Sequence, residues 1–184
     1  LSAYGELAHG FYSSTCGGRT ADYLEVWPGV ASTHGPTSVV DVSSDGRSWC
    51  ESSPHFHWRF DLPRRELFEI LKKTFPSVKP DFRMTLSRAE SGWVNQVHIT
   101  GVRRFLTGEE FHLILGRTLG WNTMKSAQFQ IEESAEGVFQ FAGKGLGHGV
   151  GLCQHGAIAQ AKAGRSALEI LRHYFPKFEV TRWD

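Results

Sequence analysis

The chain lacks any long apolar segment, any strong excess of charge of one sign and any abundance of cysteine. Its 184 residues include three cysteines, Cys16, Cys50 and Cys153, too few for a disulfide-based scaffold in a chain long enough not to need one. A net charge of +1 argues against a nucleic-acid-binding surface. No apolar run approaches the roughly 20 residues of a transmembrane helix, so no membrane span is expected in this chain.

The N-terminal residues also lack the features of a signal peptide. Leu1-Ser-Ala-Tyr4 has neither a basic nor an apolar region, and the chain does not begin with Met. We therefore expect a processed or truncated chain. Its composition, 40% hydrophobic and 21% charged, is typical of a globular protein. A chain of this length suffices for one domain with its own core, so residues 1–184 are predicted to form a single domain.

Hydrophobic periodicity and turn residues predict an α+β fold, in which antiparallel hairpins form a mixed sheet or partial barrel with several short helices. A helix is predicted from Asp61 to Phe75, with Asp61 as its cap, and another from Ala167 to Tyr174, opened by Ser166. Residues 23–27 are predicted as a short strand. The predicted hairpins cover residues 82–100 and 128–142.

The most unusual segment is Gly143-Lys-Gly-Leu-Gly-His-Gly-Val-Gly-Leu-Cys-Gln-His-Gly-Ala157. Five glycines occupy alternate positions from 143 to 151, so an extended strand would carry them all on one face. Glycine costs chain entropy, which predicts that either a ligand or another part of the chain approaches this backbone closely. The segment has no phosphate-loop or dinucleotide-binding spacing. Neutral His148 and Gln154 can both donate and accept hydrogen bonds, which suits a polyhydroxyl ligand.

The cysteines leave several alternatives open. Cys16 would be a nucleophile if His148 or His155 lay beside it as a base, but a structural role is favoured. A disulfide between Cys16 and Cys50 is predicted if the protein lies outside the cytoplasm. The alternative is a zinc ion bound by the residues of a C-x4-H-x-H pattern with one more cysteine. That ligand set is Cys16, Cys50, His55 and His57.

No carboxylate stands out as a general acid, although cleavage of a sugar chain requires one. Glu90 lies in a predicted hairpin turn, and the other glutamates belong to solvated faces of predicted elements. The chain therefore offers no convincing catalytic glutamate, and its catalytic residues are unknown.

Taken together, four segments resemble the SpoIID/LytB family. Gly145-Leu-Gly-His-Gly-Val-Gly-Leu-Cys-Gln-His-Gly-Ala157 is similar to the family's G-x-GHGVG-x-x-Q-x-GA signature, and Phe11-Tyr-Ser-Ser-Thr-Cys-Gly-Gly-Arg-Thr20 resembles its Y-H-S-x-x-GG-x-T segment. Ser126-Ala-Gln-Phe-Gln-Ile131 matches S-x-x-F-x-I, and residues 168–176 resemble the closing helix. The resemblance extends over essentially the whole chain.

The resemblance implies a cell-wall function outside the cytoplasm, in the periplasm, the cell envelope or at the cell surface. Family members include lytic transglycosylases, which cleave peptidoglycan glycan strands and leave anhydro-sugar ends, and enhancers of a cell-wall amidase. The implied partners are glycan strands and other cell-wall hydrolases, with no nucleic acid. No cofactor is implied, apart from the zinc alternative. The residues implied to contact the glycan are Ser14, Gly17, Gly18, His148, Gly149 and Gln154.

Two departures from the family pattern modify this expectation. The family's catalytic glutamate lies in an E-x-Y-L-x-G-V-V-x-x-E-M region before the first segment matched here, and Ser13 replaces the family's usual histidine. The chain is therefore expected to be the C-terminal part of such a domain, inactive on its own. The intact parent would be a lytic transglycosylase. The alternative is a non-enzymatic peptidoglycan-binding or amidase-stimulating module.

Overall fold

The fold combines five helices and nine strands within the part of the chain that the structure describes. The structure is a computed structural model and describes residues 2–3, 6–7, 9–30 and 35–180. The strands are β1 (Ser2–Ala3), β2 (Glu6–Leu7), β3 (Tyr12–Ser13), β4 (His57–Pro63), β5 (Met84–Arg88), β6 (Val94–Ile99), β7 (Phe129–Glu133), β8 (Val138–Lys144) and β9 (Leu152–Cys153). The helices are α1 (Tyr23–Val26), α2 (Arg64–Thr74), α3 (Gly108–Leu119), α4 (Gln154–Lys162) and α5 (Ala167–Tyr174).

The predicted α+β class is confirmed. Most strand pairs are antiparallel, the pair β3–β9 is parallel, and the described strands do not close into a barrel. The chain divides into two compact units, a first of residues 1–56 with 145–184 and a second of residues 57–144. None of the described helices is long and apolar enough to cross a membrane.

The second unit is built on an antiparallel sheet with the strand order β4-β8-β7. Both hairpins that the sequence predicts are present, β5–β6 and β7–β8. Helix α2 turns an apolar stripe toward the core of this unit, as its 3.6-residue periodicity predicts. The buried residues of that stripe are Leu67, Phe68, Ile70 and Leu71.

The first unit has a smaller core, in which the three cysteines take part. Its buried members are Cys16, Cys50, Cys153, Ile170, Tyr174, Phe175 and Phe178. Helix α5 begins at the predicted residue because Ser166 and Glu169 form a reciprocal capping box. The β3–β9 pair joins two distant parts of the sequence, with Ser13 opposite Cys153.

The predicted start of α2 and the predicted strand over residues 23–27 are wrong. Asp61 does not cap α2, because residues 57–63 pair along their whole length with β8, and the helix begins only after Pro63. The ladder of backbone hydrogen bonds extends the strand through the predicted cap. Residues 23–26 form a helix rather than a strand, because Asp22 and Glu25 make a capping box that outweighs the strand propensity of Tyr23 and Val26.

Candidate functional site

The glycine-rich segment follows β8 but does not form the extended strand that its alternating glycines predict. β8 ends at Lys144. Four of the glycines beyond it have positive φ angles, of 83° at Gly145, 98° at Gly147, 75° at Gly149 and 76° at Gly151. Side chains rarely adopt this region, so glycine allows a path here that other residues would resist.

This path lies against residues 11–21 of the same unit. The backbones of Thr15 and Leu146 exchange two hydrogen bonds, of 3.2 and 2.9 Å. A Cβ atom at Gly145 would collide with the carbonyl oxygen of Thr15, and one at Gly151 with that of Phe11. Of the two alternatives that the sequence leaves open, these two glycines serve the close approach of another part of the chain.

His148 lies beside a group of aromatic rings that we call the aromatic cluster, formed by Phe11, Tyr23 and Trp27. The ring centroids of His148 and Trp27 are 5.1 Å apart, and those of His148 and Phe11 are 6.4 Å apart. Nδ1 of His148 accepts a hydrogen bond of 3.0 Å from the Val150 N–H. Since Nδ1 is the acceptor in this bond, the proton of the neutral imidazole lies on Nε2, which is then a donor.

Ser14 and Gln154 are brought close by the β3–β9 pair. Each directly follows one member of the Ser13–Cys153 register pair. The next N–H along, that of His155, donates to the Ser14 carbonyl oxygen at 3.1 Å. Gln154 is the first residue of α4 and is exposed, so its amide is accessible to a ligand.

Gly17, Gly18 and Gly149, also predicted to contact a glycan, have backbone roles within the unit. Gly17 and Gly18 have φ angles of 70° and 100° and form the turn after Cys16. The Gly18 carbonyl oxygen accepts the Asp41 N–H at 2.9 Å. Gly149 is buried, and its carbonyl oxygen accepts a backbone hydrogen bond. Their contact with a glycan stays a prediction.

A second group of side chains, which we call the thiol–carboxylate cluster, consists of Cys16, Asp41, Cys50 and Cys153. All four are fully buried. Their possible ligand atoms, three Sγ and one carboxylate oxygen, lie within 4.8 Å of one another. The Sγ atoms of Cys16 and Cys50 are 3.7 Å apart, and Cys16 Sγ donates to Asp41 Oδ2 at 3.1 Å.

The carboxylate of the cluster is fixed by side chains from α4 and α5. Oδ1 of Asp41 accepts from the Tyr174 hydroxyl at 2.8 Å and lies 3.2 Å from Nε2 of His173 and 3.5 Å from Nε2 of Gln160. The other oxygen, Oδ2, is the one that meets Cys16. The two oxygens therefore have different partners, polar side chains for Oδ1 and a thiol for Oδ2.

Backbone N–H groups point at sulfur in the same cluster. Cys153 is the N-cap of α4, and its Sγ accepts the Gly156 N–H at 3.4 Å. The same sulfur accepts the Cys16 N–H at 3.3 Å. Such donors, at a helix N-terminus, favour negative charge on sulfur. The hydrogen bond with Cys16 also lowers the pKa of Cys153, but the bond with Cys50, burial and the nearby charges outweigh it and raise that pKa above its ordinary value.

Hydrogen bonds within the cluster shift the pKa values of its thiols in different directions. Bonds from Cys153 and Cys16 stabilise the Cys50 thiolate and lower the pKa of Cys50 well below its ordinary value. Bonds to Cys153 and Cys50, together with burial, raise the pKa of Cys16 well above its ordinary value. A nucleophilic cysteine needs exposure and a lowered pKa, so Cys16 has the properties of a structural residue.

The disulfide and the zinc ligand set that the sequence predicts differ from the arrangement of cysteines and histidines in the structure. Cys16 and Cys50 are neighbours, but all three cysteines are free thiols. His55 is not a member of the cluster, and His57 belongs to the second unit. Sequence reasoning missed Asp41 as a cluster member. Its one signal is a carboxylate inside an apolar run, Val39-Val40-Asp41-Val42, because carboxylates are rarely buried unless they are paired.

The second unit contains a separate cavity of about 820 Å³. Its cationic lining residues are Arg59, Arg88 and Lys144, and burial lowers the pKa of Arg88. Apart from His57, none of the residues that the sequence predicts as site residues lines it. The size of a cavity does not by itself identify a site. His148, Gln154 and the thiol–carboxylate cluster all lie in the first unit.

Comparison with known proteins identifies one family and several relatives, each of which this chain matches over only part of the relative's length. The family described as a domain of unknown function (DUF8618) matches residues 38–151, more than half of the chain. An uncharacterised protein of Brachyspira hyodysenteriae is 24% identical over 181 residues, 98% of this chain and 45% of that protein.

Two further relatives match a shorter part of the chain. Stage II sporulation protein D of Bacillus amyloliquefaciens is 34% identical over 61 residues, 33% of this chain and 17% of that protein. The amidase enhancer of Bacillus subtilis is 35% identical over 65 residues, 35% of this chain and 9% of that protein. The chain thus spans less than half the length of each of these relatives. It is a member of the DUF8618 family and, over about a third of its length, is related to stage II sporulation protein D and the amidase enhancer.

Proposed function

We propose that the chain binds the glycan strands of peptidoglycan, in the cell wall and outside the cytoplasm. The observation that carries this proposal is the position of the His148 ring, whose Nδ1 accepts the Val150 N–H, beside the half-buried Trp27. An imidazole donor next to an aromatic face suits a sugar ring, which offers hydroxyl groups at its edge and C–H groups on its face. The relationship to two proteins named for sporulation and for an amidase supports the cell wall as the location of this glycan.

Two further polar groups extend the proposed site. The exposed Gln154 amide can both donate and accept, and the half-buried Ser14 carries a hydroxyl. Amide and hydroxyl groups are suited to the N-acetyl and hydroxyl substituents of peptidoglycan sugars. The site residues thus supply orientation and affinity for a neutral polar ligand.

Binding, rather than cleavage, is the role proposed for this chain's own residues. Glu25 and Glu169 complete capping boxes, and Glu51 and Glu179 are exposed. None of these described glutamates of the first unit is held as a buried general acid, which would need a raised pKa. For the whole protein, we propose lytic-transglycosylase-like cleavage of glycan strands, with other cell-wall hydrolases as partners.

A sedimentation assay with insoluble peptidoglycan tests the binding proposal. The chain is expected to sediment with peptidoglycan. Gln154→Ala should weaken binding by about 5- to 10-fold, since one lost ligand hydrogen bond corresponds to about 1 kcal/mol or slightly more. Trp27→Ala should weaken it further. Trp121→Ala is the matched control, because Trp121 is a 54% exposed tryptophan of the second unit.

The assay is decisive if folding is monitored by circular dichroism. Gln154 is exposed, so its replacement leaves the core intact. Failure of the wild-type chain to sediment, or equal binding by Gln154→Ala, Trp27→Ala and Trp121→Ala, would exclude glycan binding at this site. Anhydro-sugar release from denuded glycan strands, measured for the chain alone, is expected to be absent. Its presence would show that these residues do include a general acid.

A further inference from the structure

We infer that Cys16, Asp41, Cys50 and Cys153 together bind one zinc ion. Three thiols and a carboxylate, all fully buried, have ligand atoms that lie within 4.8 Å of one another. Thiolate and carboxylate are both established zinc ligands, and four protein ligands complete the tetrahedral shell of a structural site. This inference does not depend on the proposed glycan binding.

Two distances between ligand atoms are close to those around a single tetrahedral ion. With Zn–S bonds of about 2.3 Å, neighbouring sulfurs of a tetrahedron are about 3.8 Å apart, and Cys16 Sγ is 3.7 Å from Cys50 Sγ. With a Zn–O bond of about 2.0 Å, the sulfur–oxygen edge is about 3.5 Å. Cys16 Sγ is 3.1 Å from Asp41 Oδ2, so only a small outward shift is needed.

The surroundings of the cluster are those of a metal site. Ligating carboxylates are normally oriented by hydrogen bonds to outer side chains. Oδ1 of Asp41 is held in this way by Tyr174, with His173 and Gln160 nearby, which directs Oδ2 to the sulfurs. A buried carboxylate among thiols also needs compensating charge. A zinc ion would supply it, with release of the remaining thiol protons to solvent.

The ion would have a structural role. A catalytic zinc ion needs one coordination position open to water or substrate. All four ligands here are fully buried and no position faces solvent. The ligands come from three separate segments: the loop after β3, residues 41–50, and the start of α4. The zinc ion would therefore cross-link the segments that carry Ser14 and Gln154, and it would not itself contact a bound glycan.

Elemental analysis of the whole chain, purified without chelator, tests the inference. The wild-type chain is expected to hold about one zinc, and Co²⁺ substituted for it should give the sulfur-to-cobalt charge-transfer absorption of a three-thiolate site. Cys153→Ser should reduce zinc affinity by more than about 100-fold, since it removes a direct ligand. His55→Ala and His57→Ala are matched controls that remove the histidines of the alternative ligand set. Both are expected to keep about one zinc.

A thiol count in denaturant with chelator separates zinc from a disulfide. Three titratable thiols, found together with one zinc, support the inference. One thiol would mean a disulfide and would overturn it, as would three thiols in a chain that takes up neither zinc nor cobalt. Loss of zinc in His55→Ala or His57→Ala would assign the ion to the other ligand set. Because the cobalt spectrum reports the number of thiolates in the wild-type chain, the test stands even if Cys153→Ser fails to fold.

Discussion

The Tyr174 hydroxyl donates a hydrogen bond of 2.8 Å to Oδ1 of Asp41, across 133 positions of sequence. Both residues are fully buried. Tyr174 belongs to the last turn of α5, and Asp41 to the segment that leads to Cys50. Burial and the Asp41 charge raise the pKa of Tyr174, so the phenol stays protonated and remains a donor. The bond therefore links the closing helix to the thiol–carboxylate cluster.

Tyr174→Phe is expected to destabilise the first unit by about 1.5–3 kcal/mol, the range for a hydrogen bond to a charged group. The substitution keeps the ring and leaves Asp41 without its shortest donor. Chemical denaturation with excess chelator measures this contribution apart from any metal. Tyr12→Phe is the control, since Tyr12 is 63% exposed and should change stability by less than about 0.5 kcal/mol. Equal unfolding midpoints for the two variants would show that the buried bond contributes nothing.

Gly151→Ala should be much more costly than Gly46→Ala, although both glycines have similar φ angles of 76° and 81°. A left-handed conformation costs a non-glycine residue about 1–2 kcal/mol. At Gly46 nothing lies within 4 Å of an added Cβ, whereas at Gly151 the Cβ would collide with the Phe11 carbonyl oxygen. We expect about 1–2 kcal/mol for Gly46→Ala and at least twice that for Gly151→Ala. Thermal unfolding of both variants measures the difference, and equal losses would mean that close packing does not explain the glycine.

Local signals explain why much of the fold was predictable from the sequence. The capping box of Ser166 and Glu169 fixes the start of α5 within four residues of sequence, and the two hairpins are marked by their turns. The strand over residues 57–63 was not predictable, because it depends on pairing with β8, about 80 residues away in sequence.

The candidate site was predictable in its residue types but not in its grouping. His148 and Gln154 stand out by their glycine-rich context. The thiol–carboxylate cluster combines residues separated by 9 to 137 positions, so no spacing rule identifies it. The short spacing from Cys50 to His55 and His57 pointed instead to histidine ligands, one of which lies in the other unit.

Thr107→Ala is expected to destabilise the chain by about 1 kcal/mol, because Thr107 caps α3. Its hydroxyl accepts the Glu110 N–H at 3.0 Å, and the Glu110 carboxylate accepts the Thr107 N–H at 2.8 Å. Thr118→Ala, at an exposed position of the same helix, is the control and should be neutral or slightly stabilising. Denaturant unfolding compares the two variants. If both lose the same stability, the loss reflects the side chain rather than the cap.

The stability difference between the wild-type chain and Glu110→Gln is expected to depend on pH. Two hydrogen bonds of 2.8 Å from Arg104 lower the pKa of Glu110 in the folded chain below its ordinary value of 4.5. The unfolded chain thus binds the proton more readily, so the stabilisation is complete above about pH 4.5 and is lost as the pH falls through the folded pKa. The two side chains are 60% and 39% exposed, which limits the gain at pH 7 to less than about 1 kcal/mol. Urea unfolding at pH 7 and pH 3 measures it, with the exposed Glu136→Gln as control. A difference that stays constant between the two pH values would show that the Glu110 charge does not stabilise the helix.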